Sequence, residues 1–123
     1  MSKRILIIDD NPMSVETMFS LLLEQGYDVC AAYNGERGYK TALSYLPDVI
    51  VLDVLLPGWS GLETYEQIKS EPILAHIPIV FITVDLDVLR NQSIDISQVP
   101  ILYKPIKGEE LVAKIEQVLS ESQ

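Results

Sequence analysis

Short apolar runs rich in β-branched residues alternate along this chain with longer stretches whose apolar positions recur at helical spacing. The runs are Arg4–Ile8, Asp28–Ala32, Val49–Leu52, Ile79–Ile82 and Ile101–Tyr103. In the stretch after the first run, Val15, Met18, Phe19 and Leu22 fall at i, i+3, i+4 and i+7, which predicts a helix with one buried face. Tyr39, Ala42, Leu43 and Leu46 repeat that spacing, and Leu111, Ile115, Val118 and Leu119 nearly do. Five strands alternating with five helices predicts an α/β domain built on a mostly parallel sheet.

Helix starts are marked by local chemistry. Asn11-Pro12 offers a capping side chain followed by a proline at the first helical position, where the missing N–H costs nothing. Asn34 can cap the second helix, and Ser60-Gly61-Leu62-Glu63 fits a capping box. Glu109 and Glu110 stand in the first turn of the last helix, favourable against its dipole. The fourth helix has the weakest signal: Asp85–Asn91 accommodates two turns, and Ser93–Pro100 has poor helical character. There is no internal repeat, low-complexity tract or linker.

Length bounds the organisation. A chain of 123 residues is one domain, 1–123, large enough to bury roughly two-thirds of its unfolded surface. Nine basic against 18 acidic residues give a net charge of −9, so phosphate backbones and anionic lipid would repel it. Direct binding to nucleic acid or a membrane surface is therefore not expected. The one cysteine, Cys30, cannot form an internal disulfide and reads as a small buried hydrophobe. No apolar run is long enough to cross a bilayer and no secretory segment precedes the first strand, so a cytoplasmic location is expected.

Polar residues collect where the strands end. Strands of a parallel sheet are buried on both faces, so polar residues mark their carboxyl ends. Asp9 and Asp10 follow the first strand, while Asp53 ends the third, Thr83 the fourth and Lys104 the fifth. Three carboxylates brought together repel one another unless a cation relieves them, and a hard divalent ion such as Mg²⁺ takes oxygen ligands. Lys104 adds a compact positive charge and Thr83 a hydroxyl donor. A carboxylate nucleophile, a metal, a cation and a donor are the parts for phosphoryl transfer onto an aspartate.

These motifs, in this order, resemble the receiver domain of two-component response regulators, the CheY-like family. The matching pieces are Ile5-Leu6-Ile7-Ile8-Asp9-Asp10-Asn11, Asp53-Val54-Leu55-Leu56-Pro57-Gly58 with Gly61, Thr83, and Lys104-Pro105. The resemblance implies a flavodoxin-like (βα)5 three-layer sandwich with a central five-stranded parallel sheet of order 2-1-3-4-5. It implies Asp53 as phosphoacceptor, with the phosphoryl group arriving from a phosphohistidine of a sensor histidine kinase or a histidine phosphotransfer protein. It implies Mg²⁺ (or Mn²⁺) held by Asp10, Asp53 and the backbone carbonyl of Leu55, with Asp9 acting through a bound water. Lys104 would pair with Asp53 before modification and with the phosphoryl group afterwards. Thr83 would swing toward the phosphoryl oxygen, and the Lys104–Pro105 bond would be cis. A downstream protein target would read the change, homodimerisation being left open.

The chain also departs from the family. Ile101 stands where an aromatic switch residue is usual, three positions before the lysine, and Tyr103 is one residue from Lys104 and cannot simply inherit that role. Val84 replaces a usually small residue, and Asp95–Pro100 replaces a Gly-Ala-Asp segment. The phosphorylation chemistry is expected to be intact and the output mechanism altered. Leu55 offers no polar group to orient an attacking water, so a long-lived phospho-Asp53 is expected.

Plainer readings cover the rest. His76 is expected in a surface loop, Trp59 partly exposed beside the site, and Tyr33, Tyr39, Tyr45 and Tyr65 in packing or on helix surfaces. A phosphatase with an aspartyl-phosphate would want an acid where Leu55 stands, and a flavin phosphate would be repelled by Asp9 and Asp10. The domain is accordingly not an enzyme beyond its own phosphotransfer and dephosphorylation. The alternatives are a phosphorylation-independent interaction scaffold, or the receiver piece of a larger hybrid kinase.

Overall fold

The computed structural model describes residues 2–85, 87 and 99–121. In chain order the elements are β1 (Arg4–Ile8), α1 (Pro12–Glu24), β2 (Asp28–Ala32), α2 (Gly35–Tyr45), β3 (Val49–Asp53), α3 (Gly61–Ser70), β4 (Ile79–Thr83), β5 (Ile101–Tyr103) and α4 (Gly108–Glu121). The five strands form one parallel sheet in the order β2-β1-β3-β4-β5, as the resemblance implied. The expected helix over Asp85–Asn91 lies outside the described residues, apart from Asp85 and Asp87.

Strand periodicity divides the core into two clusters, one on each sheet face. Ile5, Ile7, Val51, Val80 and Ile82 pack under α1 and α4 through Val15, Met18, Leu22, Leu111 and Ile115. Leu6, Ile8, Ile50, Leu52 and Phe81 face the other way, under α2 and α3, against Ala42 and Ile68. Helices thus cover both faces of the sheet, and β1, β3 and β4 become near-continuous apolar runs.

The caps form as their chemistry dictates. The Asn11 side chain accepts from the Met13 and Ser14 N–H groups at 2.9 and 3.3 Å. Asn34 accepts from Arg37, and Ser60 and Glu63 complete a reciprocal capping box at 3.1 Å in each direction. Gly61, the first residue of α3, lies so close to β3 that a Cβ there would collide with the Asp53 carbonyl oxygen and Val54 Cα. This contact seats α3 directly on the end of β3.

Two packing expectations are corrected. Leu46, which continues the apolar spacing of α2, is 50% exposed and adopts a left-handed backbone, φ 52°. The cause is Pro47: a residue before proline is barred sterically from the helical region, so α2 ends and its last apolar position turns outward. Cys30 is half-buried rather than buried, because β2 is an edge strand.

Candidate functional site

The chain leaves β1 for β2 on one side, then crosses to β3 on the other, so the carboxyl ends of β1 and β3 flank the point where the winding reverses. Register fixes what meets there. Ile8 pairs with Leu52, placing Asp9 beside Asp53, while Asp53 pairs with Ile82 and Thr83 with Tyr103, bringing the ends of β4 and β5 alongside.

Asp9 is fully buried, Asp53 nearly so, and Asp10 is exposed. Each offers a carboxylate oxygen, and the three oxygens lie within 4.8 Å of one another. Lys104 Nζ stands 2.9 Å from Oδ2 of Asp53 and 2.9 Å from Oδ2 of Asp9, bridging both buried acids. The remaining Asp53 oxygen, Oδ1, accepts the Leu55 N–H at 3.1 Å, and Asp9 Oδ1 accepts the Asn11 N–H at 2.9 Å. The Lys104–Pro105 peptide is cis. Thr83 is also fully buried at the end of β4, and its hydroxyl both donates to the Asp85 carbonyl and accepts the Asp85 N–H, each at 3.0 Å.

Electrostatics follow from burial. Desolvation lifts the Asp53 carboxyl from 3.8 to about 6; the Lys104 hydrogen bond opposes the rise, and the Asp9 charge adds to it. Burial pulls the Lys104 ammonium down, but Asp9 and Asp53 more than offset it and hold its pKa above the usual lysine value. One ammonium therefore offsets only part of the burial penalty and the Asp9 repulsion at Asp53.

The donor set fits a hard divalent cation. All three side chains offer oxygen, as Mg²⁺ prefers. Asp9 Oδ2 is buried with no hydrogen bond of its own, only the ion pair with Lys104, so it retains capacity toward a metal-bound water.

The sequence-predicted residues Asp9, Asp10, Asp53 and Lys104 thus come together, Leu55 meets Asp53 through its backbone N–H rather than its carbonyl, and Thr83 lies at the adjacent strand end with its hydroxyl turned into its own loop. Trp59 is half-exposed beside α2, its ring 6.0 Å from that of Tyr39, and His76 is exposed, as expected. Two features went unforeseen. One is the direct Asp9–Lys104 pair, which depends on which strands are neighbours. The other is Asp85, whose spacing of two after a threonine is a signal for a side-chain-closed turn.

A doubly wound sheet with paired acids after β1, an acid ending β3 and a lysine after β5 has the form of a receiver domain. The chain matches the response regulator receiver domain family over residues 5–116 and belongs to that family, whose members act in two-component signalling. It is 35% identical over 116 residues to the response regulator PleD of Caulobacter vibrioides, covering 94% of this chain and 26% of that protein. It is 33% identical over 125 residues to the alkaline phosphatase synthesis transcriptional regulatory protein PhoP of Bacillus subtilis, covering all of this chain and 51% of that protein. The chain therefore spans between a quarter and a half of the length of these relatives. A response regulator structure from Chloroflexus aurantiacus superposes with a TM-score of 0.88 at 28% identity, covering 98% of this chain and 99% of that one. The fold is shared with the chemotaxis protein CheY4 of Vibrio cholerae at a TM-score of 0.87.

Proposed function

We propose that Asp53 accepts a phosphoryl group from a phosphohistidine of a sensor kinase or phosphotransfer protein, and that the modified domain signals by contact with another protein. The observation that carries this reading is the setting of Asp53. Its carboxylate is buried at a strand end, held at Oδ1 by the Leu55 N–H, paired at Oδ2 with Lys104, and has an oxygen within 4.8 Å of carboxylate oxygens of Asp9 and Asp10. A group so fixed meets its target without reorganising.

In the transfer, a carboxylate oxygen of Asp53 forms the new P–O bond while the P–N bond of the phosphohistidine breaks, and the imidazole nitrogen leaves with the electron pair. Asp10, Asp53 and the Leu55 carbonyl would hold Mg²⁺, with Asp9 acting through a water; the ion, when bound, supplies positive charge against the phosphoryl oxygens. Lys104 supplies a second positive charge from the side of β5. Thr83 supplies a hydroxyl donor once it leaves Asp85. Nothing here calls for turnover of a separate substrate, which fits a signalling phosphoacceptor. No helix among the described residues is long and apolar enough to cross a membrane, and a cytoplasmic location fits a partnership with cytoplasmic kinase domains.

The test is intact mass after incubation with Mg²⁺ and phosphoramidate. The wild-type chain gains ~80 Da, Asp53→Asn gains nothing, and Lys104→Ala gains it more slowly. A wild-type chain that gains nothing, or an Asp53→Asn chain that still does, overturns the reading.

A further inference from the structure

The Thr83 hydroxyl is held within its own loop by the Asp85 backbone. Its oxygen accepts the Asp85 N–H and donates to the Asp85 carbonyl, both at 3.0 Å, so its single proton is committed inside its own loop. The Asp85 side chain is itself engaged, its Oδ1 accepting the Asp87 N–H at 2.9 Å. Thr83 is fully buried, and its backbone carbonyl is fixed by the Lys104 N–H at 2.9 Å, so strand and hydroxyl are anchored separately. A hydroxyl has one proton to give. To donate toward a group on Asp53, Thr83 must surrender the Asp85 carbonyl.

We propose that Asp85 is a positioning residue that latches Thr83 away from Asp53: its side chain, through the Asp87 N–H, stabilises the backbone turn that grips the Thr83 hydroxyl. The latch biases a two-state loop toward the unmodified arrangement, and the modified one must outcompete it. This rests on the proposed phosphoacceptor role of Asp53, because the latch has consequence only if Thr83 has somewhere else to donate. Asp85 has no part in the chemistry itself. It sets what fraction of the chain has a free hydroxyl.

The experiment measures binding of beryllofluoride with Mg²⁺, a stable mimic of an acyl phosphate, to the whole chain. Asp85→Ala removes the acceptor and tightens binding by about fivefold, the worth of one solvent-exposed hydrogen bond. Asp85→Asn keeps Oδ1 and binds as wild type does. In a Thr83→Ala background the Asp85→Ala effect disappears, as a double-mutant cycle requires for groups acting through each other. Without ligand, amide exchange at positions 85 and 87 quickens in Asp85→Ala and not in Asp85→Asn. Equal tightening by Ala and Asn would show that the Asp85 charge matters rather than its turn, and would overturn the latch. So would an Ala effect that survives the loss of the Thr83 hydroxyl, or no Ala effect at all. A wild-type chain that fails to bind beryllofluoride overturns the phosphoacceptor reading, and the latch falls with it.

Discussion

Replacing Asp53 by asparagine in metal-free buffer sets two opposing effects against each other. The ion pair with Lys104 favours the carboxylate, while burial and the neighbouring Asp9 charge penalise it. The balance is visible in the direction of the pKa, which rises from 3.8 to about 6, so the penalty wins. A folded-state pKa above the unfolded value means that this group's contribution to stability is fully present below about pH 3.8 and lost as pH rises through about 6. By pH 7.5 the whole cost is borne, ~3 kcal/mol at about 1.4 kcal/mol per pH unit. Asparagine carries no charge and escapes it. With chelator present, Asp53→Asn is therefore more stable than wild type by ~3 kcal/mol at pH 7.5, roughly 10 °C in Tm for a domain of this size. The two converge below about pH 4. Urea unfolding followed by circular dichroism across this range measures the difference directly. Added Mg²⁺ narrows it by stabilising the wild type through mass action. An asparagine variant less stable than wild type at pH 7.5 without metal would show that the Lys104 pair outweighs desolvation, and the electrostatic account of the site would be wrong.

Other substitutions probe the frame around the site. Gly61→Ala drives a Cβ against the Asp53 carbonyl and Val54 Cα, so it lowers stability by about 2 kcal/mol in urea unfolding and slows phosphoryl uptake from phosphoramidate. Leu46→Gly relieves the left-handed backbone at φ 52° and raises stability by ~0.5–1 kcal/mol, with uptake unchanged. Leu55→Asn places an amide where it can orient water and shortens the life of the phosphorylated chain several-fold; equal lifetimes of the two phosphorylated proteins would contradict that role.

Periodicity carried the fold because each strand end is also a chemical boundary. The five apolar runs match the five strands, with Asp53 and Thr83 ending β3 and β4 as their positions predict; polar side chains do not prevent the backbone from pairing with Ile82 and Tyr103. Leu46 misled because its spacing is helical, whereas Pro47 forbids the backbone that spacing needs. Cys30 misled because a strand's burial depends on whether it lies at the sheet edge, and the local sequence does not say so. The carboxylates were legible as residues at strand ends. That Lys104 bridges Asp9 as well as Asp53 was not, since it depends on β1 and β3 lying side by side. Asp85 was read only as the start of a weak helix, and its grip on Thr83 is a hydrogen-bond pattern that composition does not reveal.

The central claim, that Asp53 carries the phosphoryl group, is tested most directly by mapping the modified residue. Borohydride reduces an aspartyl phosphate to homoserine, which peptide mass spectrometry places at a single position. After phosphoramidate treatment with Mg²⁺, the account predicts homoserine at position 53 and unaltered aspartate at positions 9 and 10. Homoserine at either of those positions, or none at 53 in a chain that has gained the phosphoryl mass, would contradict it.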